Sequence, residues 1–422
     1  MPIINSSLVP QTDFLYMQKA QSLAQEALYI TDPNPRVGCI IVKDNQIIGQ
    51  GSTQKAGGPH AEVMALRDAK AHGHEQDIAG ATFYVTLEPC SHFGRTPPCA
   101  DALIAHKAGR VVVACLDPNP LVAGNGIKKL QQAGITVDYY PELAERTLAL
   151  NPGFMSRMIV GKPWTWTKLA CSLDGKLALN NGVSQWITSA EARADGQYWR
   201  ARSSAVVTGV GTVLADNPLL NVRAFTVERQ PLRVVIDGKF QVPVDAAIFN
   251  GAPVLVITHT QHPEKQAMLQ DKGAEVLVVE EEGVLYKGAE ELVVEEEGKP
   301  HKGNEALVVE EKRGLQAKNK YINLNYVWEL LAQRGINEIH VEAGAGLNSA
   351  LLQAGLIDEL LVYMAPKIIG PGLDIFQMPA LTDLSTVPTF EWVEQQRVGE
   401  DIRLRLRNPE RWEVLKRHLM GL

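Results

Sequence analysis

Four residues set the first reading of the chain: His60, Glu62, Cys90 and Cys99. One histidine and two cysteines supply the three protein ligands of a catalytic zinc, whose fourth position stays open for water. Zinc lowers the pKa of that water from about 16 toward about 7, which makes hydroxide available at neutral pH. Attack on an amidine-like carbon gives a tetrahedral intermediate, and ammonia must leave protonated. Glu62, two residues from His60, could take the water's proton and deliver it to the leaving nitrogen without binding metal. Cys90 follows an expected strand and Cys99 opens an expected helix. Helix N-termini favour thiolate over thiol, so both sulfurs are expected to be charged before metal arrives. Taken singly, His60 reads as a surface histidine and the cysteines as small core residues. Taken together, they read as a hydrolytic zinc site.

H-x-E on a helix followed by P-C after a strand matches the zinc deaminase signature. The common form ends P-C-x-x-C. Here the eight residues SHFGRTPP separate Cys90 from Cys99, and the longer loop argues against the tRNA and cytidine deaminase branches. A non-enzymatic module with structural zinc is the other alternative, but a closed structural site wants four protein ligands. Cys39, Cys115 and Cys171 fall in apolar strands and read as core, where a free cysteine behaves as a small hydrophobe.

The elements that must position these residues alternate between helix and strand. A helical pattern over 13–30 precedes strands at 37–44 and 46–52, joined by an Asp-Asn turn. A helix at 60–73, a strand at 81–89, a helix at 98–109, a strand at 110–117, a helix near 125–133 and a strand at 135–141 follow. Such alternation favours a central sheet covered by helices. A second alternation follows, with strand-like runs at 163–175, 204–214, 232–238, 253–259, 336–344 and 358–370 and helices near 326–334 and 346–354. The expected division is 1–158 and 159–422, with the change at the end of the helix TLALNPGF.

Bulk properties agree with two globular domains. The chain has 422 residues, more than one hydrophobic core usually serves. No apolar run approaches the roughly 20 residues of a membrane helix, and MPIINSSLVPQTDF has no basic patch followed by an apolar core, so neither membrane nor signal peptide is expected. Five cysteines in so long a chain suggest a reducing, cytoplasmic setting. The net charge is −7, and residues 275–319 alone hold twelve Glu against six Lys or Arg. The rest is near neutral and has no basic stripe, which argues against nucleic-acid partners. The same acidic stretch is three copies of a 15-residue repeat, read as a solvated insertion.

DPNPRVGCIIV, GGPHAEV, YVTLEPCSHFGRTPPC and LDPNPLVAGNGI together resemble the deaminase half of the bifunctional riboflavin biosynthesis deaminase/reductase family, whose form has the longer P-C-x8-C loop. The resemblance implies a cytidine-deaminase-like three-layer α/β domain. Its implied substrate is a phosphorylated small molecule, diaminohydroxyphosphoribosylaminopyrimidine, whose ring amino group is hydrolysed. Asn34, in the Pro-Asn-Pro turn, matches a family position near the ring, and His92 lies in the extra loop.

KLACSLDGK, SQWITS, VTGVGTVLADNPLLNVR, VVIDG, HVEAGAGLNSALL and DELLVYMAPKIIG resemble, in the same order, the reductase half of that family. The resemblance implies a dihydrofolate-reductase-like domain that uses NADPH to convert the ribosyl side chain to ribityl. It also implies a homodimer built on this half. Neither GVGTVL nor GAGLNS completes the G-x-G-x-x-G of a Rossmann fold, yet glycines at a helix start suit phosphate. By resemblance, Ala170, Trp186, Thr212, Asp216 and the stretch Gly344, Ala345, Gly346, Leu347, Asn348, Ser349 and Ala350 match positions that hold NADPH. Lys168, Ser184, Arg200, Leu220, Arg223 and Glu342 match positions around the phosphoribosylamino substrate. Arg200 and Arg223 could each meet a phosphate in a bidentate fork. Lys168, Asp216 and Glu342 are candidate proton donors, and Asp174 is read either as a site residue or as a turn former.

Overall fold

A computed structural model describes residues 9–94, 96–120, 122–251, 253–279 and 321–420. In chain order the elements are α1 (Gln11–Glu26), β1 (Gly38–Lys43), β2 (Gln46–Ser52), α2 (Ala61–Ala71), β3 (Thr82–Val85), α3 (Cys99–Ala105), β4 (Arg110–Val113), α4 (Asn125–Gln132), β5 (Thr136–Tyr139), α5 (Ala144–Leu150) and α6 (Pro152–Val160). Then come β6 (Trp164–Ser172), β7 (Lys176–Leu179), α7 (Ala190–Arg202), β8 (Ala205–Gly209), α8 (Val210–Asp216), β9 (Leu232–Ile236), β10 (Val254–Thr258), α9 (Pro263–Asp271) and β11 (Ala274–Val278). The chain closes with α10 (Leu324–Gln333), β12 (Glu338–Val341), α11 (Ala345–Gln353), β13 (Glu359–Ala365), β14 (Gly372–Asp374), β15 (Glu391–Val398), β16 (Asp401–Arg407) and α12 (Pro409–Met420).

The first sheet has the order β2-β1-β3-β4-β5. β1 pairs antiparallel with β2 and β3, and β3, β4 and β5 run parallel. Asp44 and Asn45 both take positive φ, 49° and 61°, as the tight turn joining β1 and β2 demands. Alternate residues face opposite layers. Cys39, Ile41, Phe83, Val85, Val111 and Val113 pack with α2 and α3, whereas Ile40, Val42, Tyr84 and Val112 pack with Met17 and Ala20 of α1. That period of two makes the N-terminal half a three-layer α/β unit.

The second sheet has nine strands in the order β11-β10-β9-β8-β12-β6-β13-β16-β15. Pairing is parallel from β11 through β13 and antiparallel at β16 and β15. Several expectations need correction. Residues 204–214 are not one strand, since the chain leaves β8 at Gly209 and turns at once into α8. The helix expected near TLALNPGF is two helices, because Pro152 suits the first turn of a new helix and not the interior of an old one. Residues 275–278 belong to β11, a sheet strand paired with β10, so the first repeat copy begins inside the fold. The remainder of the acidic repeat, 280–320, lies outside the described residues.

The halves are joined through packed side chains. One buried cluster contains Phe83 and Leu103 of the first unit, Phe154 and Met155 of α6, and Trp164, Trp166 and Trp412 of the second. Buried Arg36 reaches across to Glu338 at 2.7 Å, and Arg202 holds the same carboxylate at 2.9 Å. α12 returns to the first unit, where the Tyr139 hydroxyl donates to the Leu419 carbonyl at 2.8 Å. No helix among the described residues is long and apolar enough to cross a membrane.

Candidate functional site

His60 caps α2 in an extended conformation, and Glu62 sits buried in that helix's first turn. α2 can lie this close to β2 because Gly49 and Gly51 carry no side chain. A Cβ at Gly51 would come within 2.5 Å of the Met64 Cβ, and one at Gly49 within 2.4 Å of the Ala65 carbonyl oxygen. Cys90 follows the loop after β3, and Cys99 is the first residue of α3. The His60 Nδ1 lies 3.7 Å from the Cys90 Sγ and 3.3 Å from the Cys99 Sγ, and the three ligand atoms all fall within 4.8 Å of one another. A tetrahedral zinc with Zn–S near 2.3 Å and Zn–N near 2.0 Å requires N···S separations of about 3.5 Å. The donor set and its spacing therefore fit zinc.

The two sulfurs sit in different surroundings, which push their pKa values in opposite directions. Cys90 accepts the hydrogen bond of the Cys99 thiol, which together with His60 brings its pKa down to about 4. It also accepts the Cys99 amide at 3.3 Å. Cys99 is pushed well up, first by giving its proton to Cys90 and then by burial. Burial, reinforced by Cys90, raises the Glu62 carboxyl above the usual range. The Cys90 sulfur raises His60 by hydrogen bonding.

Asn34, in the turn between two prolines, lines the cavity over this triangle together with His92, Asp117, Asn119, Phe154 and Arg157. Asp117 and Asn119 were not singled out from sequence. Glu88, just before Pro89-Cys90, was missed as well. Its buried carboxylate accepts from the amides of Gly124 and Gly126, both at 2.9 Å, and from those of Ile127 and Asp117. It thus ties the start of α4 to the loop that carries Cys90. Burial raises the Asp117 carboxyl to about 7, against the lowering hydrogen bond of the Asn119 amide. A signal was present in LEPC and LDPNP, but acids beside prolines read first as turn formers.

In the second half, β8 and β12 are parallel neighbours, and each ends by opening a helix. Gly209 caps α8 and Gly344 caps α11, so both glycine clusters lie side by side at the carboxyl edge of the sheet. A Cβ on Gly209 would meet Leu347 at 3.7 Å. This edge is where open parallel sheets bind ligands. Thr212 and Asp216 lie on α8, and the exposed Asp216 ends it. Asn348 and Ser349 are buried in α11, where Asn348 donates to the Ala343 carbonyl and Ser349 to the Ala345 carbonyl. Gly346 and Ala350 sit in the same helix. Ala170 and Lys168 lie on β6 opposite Tyr363 and Leu361 of β13.

Glu342 follows β12 and is paired with Arg200 of α7 through the Nε and Nη2 of its guanidinium, the second at 2.9 Å. The remaining Nη1 of Arg200 donates to the Asn221 carbonyl at 2.9 Å. Burial works against ionising Glu342, yet Arg200, His340 and Lys168 hold its carboxyl well below the usual range. Burial lowers Lys168, opposed by Glu342. Arg223 is exposed, and its backbone amide is held by Gln197 at 3.0 Å. Leu220 is buried with φ +50°. Ser184 and Trp186 lie on the segment before α7, and Lys367, which follows β13, donates to the Trp186 carbonyl at 3.0 Å. Trp186 is exposed beneath the Arg193 guanidinium, 4.1 Å from the ring centre. Asp174 organises a turn, accepting from Ser172 at 2.6 Å and from the Gly370 amide at 2.7 Å.

Two family models match the chain. One is described as the cytidine and deoxycytidylate deaminase zinc-binding region, over residues 10–115, and the other as the RibD C-terminal domain, over residues 163–404. The riboflavin biosynthesis protein RibD of Escherichia coli is 42% identical over 93% of this chain and 99% of its own length. The solved structure of Acinetobacter baumannii RibD superposes with a TM-score of 0.78 at 39% identity, covering 94% of this chain and 99% of that one. A diaminohydroxyphosphoribosylaminopyrimidine deaminase/5-amino-6-(5-phosphoribosylamino)uracil reductase from Thermotoga maritima superposes with a TM-score of 0.76 at 31% identity and the same coverage.

Proposed function

Because the chain belongs to the bifunctional riboflavin biosynthesis deaminase/reductase family, we propose a role for each residue of its two sites. The protein is a zinc-dependent pyrimidine deaminase and an NADPH-dependent reductase in one polypeptide. In our assignment His60, Cys90 and Cys99 hold the metal and Glu62 moves the proton. The observation that carries this is the closeness of one imidazole nitrogen to two sulfurs with a buried carboxyl beside them. Zinc, when bound, supplies the Lewis acidity that lets water ionise near neutral pH. Glu62 then receives the proton on a carboxylate oxygen and gives it to the amino nitrogen that leaves. Its upward shift suits that exchange, since a carrier works best with a pKa near the ambient pH. Asn34 and His92 would orient the ring from the cavity wall.

In the reductase half, NADPH supplies the hydride, and the protein supplies orientation. We place the cofactor along the Gly209 and Gly344 helix starts, with Ala170, Trp186, Thr212, Asp216 and residues 344–350 around it. Lys168, Ser184, Leu220 and Glu342 would take the ribosyl end of the substrate. Arg223 is the guanidinium left open to its phosphate, while Arg200 acts by fixing Glu342. The deaminase unit runs through residue 158, inside α6, and the reductase unit from 159. A cytoplasmic homodimer is part of the same proposal; Ile368, Leu384 and Trp392 are exposed apolar side chains of the second half that a second copy could cover. Light scattering of the purified protein reads the dimer.

The deciding experiment incubates zinc-loaded protein with the diamino pyrimidine ribosyl phosphate, with and without NADPH, and identifies products by mass. Without NADPH the product should be the deaminated ribosyl compound; with it, the ribityl compound. No deaminated product in either arm would remove the zinc assignment.

A further inference from the structure

The deaminase cavity has a wall that comes from neither H-x-E nor the cysteine loop. α6, at the junction of the two halves, contributes Phe154, Arg157 and Met158 to it. Arg157 is the only arginine or lysine among the described residues of that lining. Its Nε donates to the Asn337 Oδ1 at 2.6 Å. No hydrogen bond from either of its Nη groups to a described residue accompanies that contact. Bidentate recognition of an oxyanion takes two guanidinium N–H groups of one edge, and anchoring at Nε leaves the Nη1/Nη2 edge for it.

Asn337 belongs to the other half of the molecule, at the entry to β12, and is 4% exposed. Its Nδ2 donates to the Pro33 carbonyl at 2.8 Å and to the Asp32 carboxylate at 3.2 Å. Its backbone amide is held by the Ser204 hydroxyl at 2.9 Å, and that hydroxyl donates to Asp32 at 2.6 Å. One reductase side chain thus braces both the Pro33-Asn34-Pro35 turn and Arg157. Asp32, the nearby carboxylate, is already engaged by Ser204, Asn337 and Arg229, which leaves the guanidinium charge available to a ligand.

We propose that Arg157, aimed by Asn337, is the recognition residue for the substrate's phosphate in the deaminase site, so that the reductase half completes the deaminase pocket. This rests on the deaminase reading above. Substrate carrying a ribosyl phosphate brings a dianion into a cavity whose other described polar walls are amides, hydroxyls, histidines, carboxyls and the Cys90 sulfur. Among the described lining residues, the Arg157 guanidinium is the permanent cation that can offset it. Asn337 is a positioning residue, because it touches Arg157 and not the ligand.

The test compares deamination of the phosphorylated pyrimidine with that of its dephosphorylated analogue, using full-length zinc-loaded protein. For Arg157→Ala the preference in kcat/KM for the phosphorylated substrate should fall about tenfold to a hundredfold, the range expected for a charge-assisted contact. The loss should sit in KM, with kcat within about threefold. Arg157→Lys should keep part of the preference, since charge survives without the fork. Asn337→Ala should lower the preference in the same direction by a smaller factor. Inorganic phosphate should compete with substrate in the unaltered protein and lose that effect in Arg157→Ala. Reductase turnover in each preparation reports an intact fold. An unchanged preference in Arg157→Ala, or an equal loss on both substrates, overturns the proposal. Absence of deamination in the unaltered protein would instead overturn the deaminase reading itself.

Discussion

Glu62 carries most of the chemistry assigned to the first site, and its surroundings make its replacement informative. The glutamine variant keeps volume and hydrogen bonding but cannot accept a proton. It leaves His60, Cys90 and Cys99 intact. Glu62→Gln should therefore retain about one zinc per chain while deamination falls by about a hundredfold to ten-thousandfold, the usual contribution of a positioned acid–base group. Metal analysis beside an ammonia-release assay checks both halves of that statement. Full activity with full metal would take the proton from Glu62 and give it to another group. The sequence made these four residues legible because catalytic zinc constrains both residue type and ligand number. It left Glu88, Asp117 and Asn337 unread. Each acts through backbone amides or through a partner more than a hundred positions away, or sits in a context that also forms turns. Arg200 was read as a candidate site residue but not as the partner of Glu342, because a pairing across 142 positions has no local pattern.

At the scale of elements, alternation gave the strands of the first sheet, the central strands of the second and most helices of the first half, and failed where two periods meet. GVGTVL reads as a continuation of SAVVT because both are apolar, yet its glycines mark the exit from β8 into α8. The C-terminal hairpin β15–β16 and α12 were not read at all. β15 alternates weakly, since it is a largely exposed edge strand. The joint between the two units is likewise invisible in either alternation. It rests on Glu338 in β12, which is buried and holds Arg36 from one unit and Arg202 from the other. Burial alone would raise this carboxyl, but the two guanidiniums outweigh it and bring it to about 2, against 4.5 for a free side chain. Because the folded value is depressed, the stabilisation is present above pH 4.5 and is lost as pH falls from 4.5 toward 2. The size is roughly 3 kcal/mol. Glu338→Gln leaves two buried cations without their counter-charge and should cost about 3 kcal/mol at neutral pH. It should also flatten the fall in thermal midpoint between pH 5 and pH 3. Scanning calorimetry on metal-free samples of both proteins separates this from acid release of zinc. Parallel pH curves for the two would show that Glu338 is not the acid-sensitive joint.

For the whole molecule, the continuous buried cluster from Phe83 through Phe154 to Trp164 and Trp412 predicts that the halves unfold together. Calorimetry of the zinc-loaded chain should give one transition with a van't Hoff enthalpy near the calorimetric one, and two well-separated transitions would contradict the shared core. Only the start of the acidic repeat, through Val279, is among the described residues. β11 ends at Val278, and Val279 still donates to Thr258 at 2.8 Å. Glu275 is paired with Arg334 of the chain that follows the repeat at 2.7 Å. Cutting at 275 would therefore strip an edge strand from the nine-stranded sheet and expose β10, whereas replacing 280–320 with a flexible linker keeps every contact named for either site. The second variant should deaminate and reduce within about twofold of the full chain and keep its thermal midpoint. The first should lose several degrees and lose reduction more than deamination, because β11 lies in the sheet to whose carboxyl edge we assign NADPH. If the 280–320 replacement abolished reduction while β11 stayed intact, the repeat would be part of the reductase machinery and not a solvated insertion.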